Sequence, residues 1–348
     1  MSDQVSATAP ILSVRDLKTH FLMDEGVVKA VDGVSFDVHA GQTFGIVGES
    51  GCGKSITVKS ILRIVEDPGK IVQGQILLRR PRRDGTLGDE VLDLVGLDAH
   101  GPEIRGIRGG QIALIPQEPM SSFSPLHTIG NQIVETIMLH QSIGKKAARN
   151  LAHDMLRDVG VPMPERRLDE YSWQLSGGLR QRAIIAMALC CNPRLLIADE
   201  PTTAVDVTTQ AQVLRLLREL QREHNSAIIF ITHDLGVIAQ MASFVTVMYL
   251  GLVMEQGPVD DIFHAPKHPY TQALLRSIPS VTSQPRVSLP TISGSIPHPF
   301  NKPAGCPFHP RCTKRMPGRC DVRTPALQTV GESQRVSCFL YHDAEVPE

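Results

Sequence analysis

One segment of the sequence has the glycine spacing of a loop that wraps phosphate groups. Residues 48–55, Gly-Glu-Ser-Gly-Cys-Gly-Lys-Ser, fit the pattern G-x-x-x-x-G-K-[ST]. A predicted strand at 44–47 precedes them and a helical pattern at 56–65 follows, which is the context that this loop requires. Backbone amides and the helix dipole would hold a phosphate, Lys54 would neutralise its charge, and the Ser55 hydroxyl can ligate Mg²⁺.

A second predicted strand ends in two acidic residues. Residues 195–198 are apolar, and Asp199 and Glu200 follow them directly. An α/β sheet binds its ligands at the carboxyl ends of its strands. Asp199 would therefore belong to the Mg²⁺ shell, and Glu200 could polarise an attacking water as a general base. Two acids at a strand end are also typical of a helix cap, and the loop at 48–55 favours the catalytic interpretation.

The elements that must position these residues alternate between strands and helices. Short runs rich in β-branched residues at 43–47, 195–198 and 227–232 alternate with longer segments of helical spacing. This alternation predicts an α/β core. Residues 279–348 hold 11 of the 25 prolines, and proline disfavours helix interiors and central strands. A domain boundary near residue 279 follows.

Two helices can be predicted with their ends. One should begin with Asp206 as its N-cap and end before Asn225. Its buried stripe should consist of Val213, Leu214, Leu217 and Leu220. The other should end at Gly160, with Pro162 just beyond. Its apolar residues are Leu151, Met155 and Val159.

Composition excludes several classes of protein. The chain has 348 residues, 42% of them apolar, and a formal net charge of −1. Such a chain buries a sizeable core, and no overall charge draws it to nucleic acid or anionic lipid. No apolar run approaches the roughly 20 residues that span a bilayer, and the N-terminus lacks a signal-peptide pattern, so we expect a soluble, cytosolic chain. The basic run at 79–83 fits a nucleic-acid patch less well than a solvated hairpin tip, because no aromatic residues interleave with it.

A third motif lies between the phosphate loop and the acidic strand end. Residues 175–182 read Leu-Ser-Gly-Gly-Leu-Arg-Gln-Arg, and with the motifs on either side they resemble the ATP-binding cassette (ABC) family. Further family elements appear in order: Gln117 resembles the Q-loop glutamine, residues 204–206 resemble the D-loop, and His233 resembles the switch histidine. Departures are mild, with Leu179 where many cassettes have Gln.

The resemblance assigns roles residue by residue. The implied ATP contacts are Gly48, Glu49, Ser50, Gly51, Cys52, Gly53, Lys54, Ser55 and Thr57. The implied Mg²⁺ ligands are Ser55, Gln117 and Asp199, and the implied catalytic residues are Glu200, His233 and Gln117. The signature turn of one subunit would close over its partner's ATP, and Asp206 is the implied D-loop residue. That turn consists of Ser176, Gly177, Gly178 and Leu179. A dimer of cassettes is therefore implied, of two identical or two different chains.

The resemblance is closest to importers of dipeptides and oligopeptides. It is carried by residues 117–125, 251–257 and 268–275 and extends from about residue 12 to residue 341. It implies an ATPase subunit on the cytoplasmic face of the plasma membrane, docked on two permease subunits. A second, non-identical cassette and an extracytoplasmic solute-binding protein, acting indirectly, would complete the system. The alternative is a soluble ABC ATPase that acts on nucleic acid or ribosomes.

The resemblance also implies a fold. It is an ABC-type nucleotide-binding domain over residues 11–278, with a RecA-like core, an antiparallel β subdomain and a helical subdomain at about 120–180. Residues 279–348 would form a small, loop-rich extension that carries a cysteine cluster.

Four of the seven cysteines fall in this extension: Cys306, Cys312, Cys320 and Cys338. The gaps between them are five, seven and seventeen residues. Disulfides are disfavoured in the cytosol, and structural zinc usually has closer cysteine pairs. Four cysteines without a tight pair favour an iron-sulfur cluster, and the segment is similar to the tail of oligopeptide-importer ATPases, some of which carry a [4Fe–4S] cluster. Zinc, with help from His309 or His342, and unligated buried thiols remain alternatives.

Two features of the nucleotide site stay open. Glu25 and Gly26 occupy the place where the family usually has an adenine-stacking aromatic residue, and Phe21 is nearby. Cys52 lies inside the phosphate loop, where an oxidant or alkylating agent could block nucleotide entry. Cys190 and Cys191 lie in an apolar helical segment and are interpreted as core packing.

Overall fold

The computed structural model describes residues 9–81, 87–118, 122–202, 206–278 and 292–341. These residues form two compact units, each with its own core. The first unit comprises the described residues up to Val38, Phe44–Val95, and those from Thr232 onward. The second unit comprises His39–Thr43 and the described residues of Gly96–Ile231.

The strands and helices of the described residues are bounded as follows. The strands are β1 Leu12–Met23, β2 Gly26–Val38, β3 Thr43–Val47, β4 Gly69–Pro81, β5 Leu87–Asp93, β6 Ile112–Ile115, β7 Leu195–Asp199, β8 Ala227–Ile231, β9 Phe244–Tyr249, β10 Leu252–Pro258, β11 Gln328–Val330 and β12 Gln334–Val336. The α-helices are α1 Lys54–Ile61, α2 Pro102–Ile107, α3 Ile129–His140, α4 Lys145–Asp158, α5 Pro164–Arg167, α6 Gly177–Leu189, α7 Val207–His224, α8 Leu235–Met241, α9 Val259–His264 and α10 Pro269–Arg276.

The first unit contains an antiparallel sheet with the strand order β2-β1-β4-β5. Its inner face is apolar, with Leu12, Val14 and Leu17 of β1 fully buried. Thr19 on β1 shares a hydrogen bond of 2.8 Å with Ser60 on α1, so the sheet packs against the helix that follows the phosphate loop.

A second group of strands in this unit carries the phosphate loop at its end. β3 pairs in parallel with β9, and β10 pairs antiparallel with both β9 and β12. All five residues of β3 are buried, as a strand covered on both faces requires. β12 belongs to the C-terminal segment, so this segment adds strands to the sheet that contains β3, β9 and β10. The domain boundary at 278/279 stays a prediction, because residues 279–291 lie outside the described part of the chain.

The second unit is built on the parallel strands β6, β7 and β8, with β7 in the middle. Every residue of β7 and β8 is buried. The helices α3, α4 and α6 pack on one another. α3 and α4 lie within the predicted helical segment at about 120–180, whereas α6 begins at Gly177 and extends beyond it to Leu189. The α/β prediction is confirmed in this unit.

The two helices predicted with their ends turn out differently. α7 has Asp206 as its N-cap and Asn225 as its C-cap, and it buries the predicted stripe together with Leu216. α4 ends as predicted, with Gly160 at a φ of +74°, but its fully buried stripe is Ala148, Ala152 and Leu156. Val159 is buried as predicted, with 2% of its surface exposed. Leu151 and Met155 are only half-buried, so for these two residues the prediction placed the apolar face one residue too early.

The first two arginines of the basic run, Arg79 and Arg80, lie near the end of β4, which pairs antiparallel with β5. Arg80 makes an ion pair of 3.2 Å with Glu90 on β5. Residues 82–86, where the sequence predicts a hairpin tip, lie outside the described residues. Within the described residues, no helix is both long and apolar enough to span a membrane.

Candidate functional site

The phosphate loop connects β3 to α1 and needs glycine at fixed places. Gly48, Gly51 and Gly53 have φ values of +152°, +76° and +102°, which L side chains rarely adopt. A Cβ at Gly48 would collide with the carbonyl oxygen of Met248, and one at Gly53 with that of Ala30. The loop therefore reaches its wrapped shape only with glycine at these positions.

Lys54, the first residue of α1, is buried under the loop. Its Nζ donates to the carbonyl oxygens of Gly48 at 2.8 Å and Glu49 at 3.1 Å. The lysine thus holds its charge inside the concave side of the loop, where a phosphate would be neutralised. Ser55 is half-buried at the N-terminus of the helix. Thr57 is fully buried, and its hydroxyl donates to the Gly53 carbonyl at 2.9 Å. Thr57 therefore supports the loop from within the protein and is not exposed on the loop surface.

Cys52 is buried with 3% of its surface exposed. Its Sγ lies 3.8 Å from the Lys54 Nζ. Burial raises the pKa of this thiol, and the charge of Lys54 only partly opposes the rise. A protonated, covered thiol is a poor nucleophile, so the structure gives little support to the idea that oxidants or alkylating agents act here.

In the second unit, the carboxyl ends of two strands bring predicted residues together. Asp199 is the last residue of β7 and is 6% exposed. Gln117 follows β6, and its Nε2 donates to the Glu200 carboxylate at 3.1 Å. Glu200 has a φ of +48°, a region that non-glycine residues adopt only rarely. Its backbone N–H donates to the Ile231 carbonyl of β8 at 2.9 Å.

The Ser-Gly-Gly turn begins α6. The Ser176 hydroxyl oxygen caps the helix by accepting from the Leu179 N–H at 3.4 Å. Ser176 and Gly177 are exposed, and nothing lies within 4 Å of a Cβ built on Gly177. The exposed N-terminus of a 13-residue helix can hold an anion.

The remaining motif residues lie at helix starts. Asp206 caps α7 by accepting from the Thr209 N–H at 2.9 Å, and hydrogen bonds from Thr209 lower its pKa. The other D-loop residues, 204 and 205, lie outside the described residues. His233 is exposed between β8 and α8, in the first unit. Asp234 beside it caps α8 by accepting from Gly236 at 2.8 Å.

The cysteines of the extension line one shared cavity: Cys306, Cys312, Cys320 and Cys338. Burial raises the pKa of Cys306 to about 12 and that of Cys338 to about 11, and the neighbouring cysteines add to both shifts. In the described part of the chain, no group of three or more His, Cys, Asp or Glu side chains could hold a metal ion. The four sulfurs therefore share a cavity without forming the ligand set of a single ion, and His342 lies outside the described residues.

Sequence reasoning missed two residues that touch the phosphate loop. Arg311 makes a two-pronged ion pair with Glu49, and the Tyr270 hydroxyl accepts from the Glu49 backbone N–H. Tyr270 was noticed as part of the run 268–275, and Arg311 lies within the cysteine segment. Nothing in their spacing indicates contact with a loop more than 200 residues earlier.

Comparisons with known proteins identify the family. The family described as "ABC transporter" matches residues 31–203, and "Oligopeptide/dipeptide transporter, C-terminal region" matches residues 254–320. The oligopeptide transport ATP-binding protein AppD of Bacillus subtilis (strain 168) is 46% identical over 333 residues, covering 96% of this chain and 97% of AppD. The dipeptide transport ATP-binding protein DppD of Escherichia coli (strain K12) is 42% identical over 331 residues, covering 94% and 96%. The chain belongs to the ABC transporter family.

Solved structures agree with this assignment for the fold. The ABC transporter cassette MJ0796, solved as a dimer, superposes with a TM-score of 0.61 at 25% identity, covering 71% of this chain and 98% of that one. The predicted cassette fold is confirmed, and the chain is an ABC-type ATPase. The alternative of a soluble ABC ATPase acting on nucleic acid or ribosomes gains no support, since the relatives named here are transport proteins.

Proposed function

We propose that this ABC ATPase hydrolyses ATP to drive the import of dipeptides, oligopeptides or a related solute. The observation that carries the proposal is the similarity to peptide-transport ATP-binding proteins, which extends over nearly the whole chain and includes the C-terminal region. Its partners would be two permease subunits, and a solute-binding protein would deliver the cargo. The protein would act peripherally, on the cytoplasmic face of the membrane.

The chemistry is assigned to the motif residues. Lys54 and the loop amides would bind the β- and γ-phosphates, and Ser55 would ligate Mg²⁺. Asp199 and Gln117 would complete the Mg²⁺ shell, and Glu200 would take a proton from the attacking water. His233 would contact the γ-phosphate. The order of the motifs supports assigning both sets to one nucleotide.

The exposed turn at Ser176 supports a dimer of cassettes. One nucleotide does not need two helix N-termini of this kind in one chain, so the turn is free to close over a partner's ATP. Asp206 and the turn would then face the partner. We propose that the partner is a second, non-identical ATPase, so that binding of ATP closes the pair and hydrolysis reopens it.

A [4Fe–4S] cluster is proposed for the cysteine-lined cavity. Support comes from the donor set, because four cysteine sulfurs on one cavity suit an iron-sulfur cluster better than a hard cation. The ligands would be Cys306, Cys312, Cys320 and Cys338. Such a cluster supplies one-electron chemistry and staples the chain around it. The protein's own contribution would be to gather the four thiols around one cavity in a segment rich in proline, three of them buried and that of Cys312 half-buried.

One preparation tests both proposals. The tagged protein is purified from detergent-solubilised membranes under anaerobic conditions, its partners are identified by mass spectrometry, and iron and sulfide are measured. We expect permease subunits, a second cassette, and about four irons per chain for a [4Fe–4S] cluster. Recovery as a species bound to RNA or ribosomes would contradict the transport proposal.

The cluster has a matched control within the chain. Cys312→Ser should lower the iron content, whereas Cys191→Ser, which changes a half-buried cysteine outside the cavity, should not. Iron-free wild-type protein with bound zinc, or with four free thiols, would contradict the cluster and favour one of its alternatives.

A further inference from the structure

The outer side of the phosphate loop is held by the C-terminal part of the chain. The Glu49 carboxylate accepts two hydrogen bonds from the Arg311 guanidinium, at 2.7 Å from Nη1 and 3.1 Å from Nη2. The backbone N–H of Glu49 donates to the Tyr270 hydroxyl at 3.0 Å. Both the side chain and the backbone of one loop residue are therefore fixed from outside the loop.

The Arg311 side chain is buried and makes further hydrogen bonds besides those to Glu49. Its side chain is 5% exposed. Nη1 also donates to the Tyr249 hydroxyl at 3.2 Å, and Nε donates to the Ser293 carbonyl at 3.2 Å. Burial alone lowers the pKa of Arg311, but hydrogen bonds to Glu49 and Tyr249 outweigh burial and raise it. A buried, two-pronged arginine pair has one geometry, and losing either partner leaves the other charge uncompensated.

Aromatic rings fill the space behind this ion pair. Tyr249 lies 4.8 Å from Tyr270 and 5.5 Å from Phe308, and Tyr270 lies 5.2 Å from Phe308, between ring centroids. Phe308 stands between Cys306 and Cys312 in the sequence. Side-chain contacts therefore connect Phe308 of the cysteine segment, through Tyr249 and Tyr270, to Glu49 of the phosphate loop.

A second set of contacts to the loop comes from Lys54, and a bound phosphate would compete with them. Lys54 donates to the carbonyl oxygens of Gly48 and Glu49. A phosphate inside the loop would compete for the same ammonium group, and the loop would lose these two hydrogen bonds. The contacts of Arg311 and Tyr270 use the carboxylate and the N–H of Glu49 and do not involve Lys54, so they would persist. If the loop keeps its shape while phosphate replaces the carbonyl oxygens as the partner of Lys54, less conformational entropy is lost when phosphate binds.

We propose that Arg311 and Tyr270 are positioning residues that hold the phosphate loop ready for ATP. The C-terminal extension would then be a working part of the nucleotide site. This inference rests on the proposed function, in that ATP binds at residues 48–55. It is independent of the proposed cluster.

The test compares the binding and hydrolysis of ATP in variants of the full chain. Arg311→Gln removes the charge and one prong, and Arg311→Lys keeps the charge without the fork. The matched control is Arg323→Gln, which changes an exposed arginine of the same segment. The Kd of a fluorescent ATP analogue is measured on the purified chain, and KM and kcat are measured in the transporter assembled with its partner subunits.

We expect Arg311→Gln to raise the Kd and the KM for ATP roughly tenfold or more, the loss typical of a charge-assisted hydrogen bond. The kcat at saturating ATP should change little, Arg311→Lys should recover part of the affinity, and Arg323→Gln should match the wild type. An unchanged Kd in folded Arg311→Gln protein would overturn the inference. Failure of the wild type to bind ATP would instead overturn the proposed nucleotide site, and the inference with it.

A second variant covers the case in which Arg311→Gln does not fold. Tyr270→Phe keeps the buried ring and removes only the hydroxyl that accepts from Glu49. We expect a several-fold higher Kd, measured well below the midpoint of thermal unfolding, where a purely structural loss would leave the Kd unchanged. Wild-type affinity in Tyr270→Phe would then count against the inference.

Discussion

At the scale of single residues, the backbone of Glu200 is the most informative feature of the second unit. A non-glycine residue with a φ of +48° carries a conformational cost on the order of 1–3 kcal/mol. The hydrogen bond from its N–H to Ile231 and the contact of its carboxylate with Gln117 hold it there. These two contacts fix the Glu200 carboxylate beside Gln117, and a carboxylate held in one position suits the role of a general base.

Replacing Glu200 by glutamine keeps the shape of this residue and removes its basicity. We expect Glu200→Gln to bind ATP as the wild type does but to hydrolyse it about 10²–10⁴-fold more slowly, the usual contribution of a general base. Phosphate release and analogue binding are measured on the same preparation. Glu219→Gln, an exposed change on α7, serves as the control. Wild-type turnover in Glu200→Gln would exclude Glu200 as the base.

Cys52 and Cys191 should differ in their reaction with iodoacetamide. Burial raises the pKa of Cys52, whereas a hydrogen bond with Cys190 lowers the pKa of half-buried Cys191. Thiolate is the reactive form, so at pH 8 we expect Cys52 to react roughly tenfold or more slowly than Cys191 in the native protein. Peptide mass spectrometry over time gives both rates, and denatured protein is the control. Rapid labelling of Cys52 with loss of ATPase activity would restore it as a site of inhibition.

At the scale of elements, the sequence predicts the ends of helices better than their buried faces. The ends of α7 and α4 follow from Asp206 and from Gly160, because a cap and a left-handed terminator act locally. The buried face depends on what the helix packs against. α7 has leucines on its stripe and was predicted correctly. α4, which packs against α6 and α3, buries two alanines, 148 and 152, and alanine gives a weak signal in an apolar pattern.

The corrected face of α4 makes a prediction about stability. Leu156 is fully buried and Leu151 is half-buried. We expect Leu156→Ala to lower the free energy of unfolding by about 2–5 kcal/mol, as large-to-small changes in a core do. Leu151→Ala, the same change on the neighbouring face, should cost about 1 kcal/mol. Urea unfolding followed by circular dichroism measures both, and equal losses would show that the stripe is assigned wrongly.

At the scale of the whole molecule, what could be read from the sequence was the local part of the site. The phosphate loop, the acidic strand end and the Ser-Gly-Gly turn are each continuous in the chain, and their residue types follow from their chemistry. The pair Arg311–Glu49 joins residues 262 positions apart. Its two members lie in separate motifs, and only the packing of the C-terminal segment on the loop shows that they meet.

The proposed dimer predicts that a variant can bind its own ATP and still stop turnover. Ser176→Arg places a long charged side chain on the exposed turn that would close over the partner's nucleotide. We expect the Kd for ATP of the isolated chain to stay within about twofold, because the turn would not touch that nucleotide. ATPase activity of the assembled transporter should fall by roughly 10² or more, as when a transition-state donor is removed.

The control for this prediction adds the same charge elsewhere. Asn150→Arg changes an exposed residue of α4 and should keep both the affinity and the turnover. Light scattering with ATP, on Glu200→Gln protein mixed with its partner cassette, should detect a dimer that Ser176→Arg abolishes. If Ser176→Arg instead weakened ATP binding in the isolated chain, the turn would serve the nucleotide of its own chain, and the need for a partner would lose its main support.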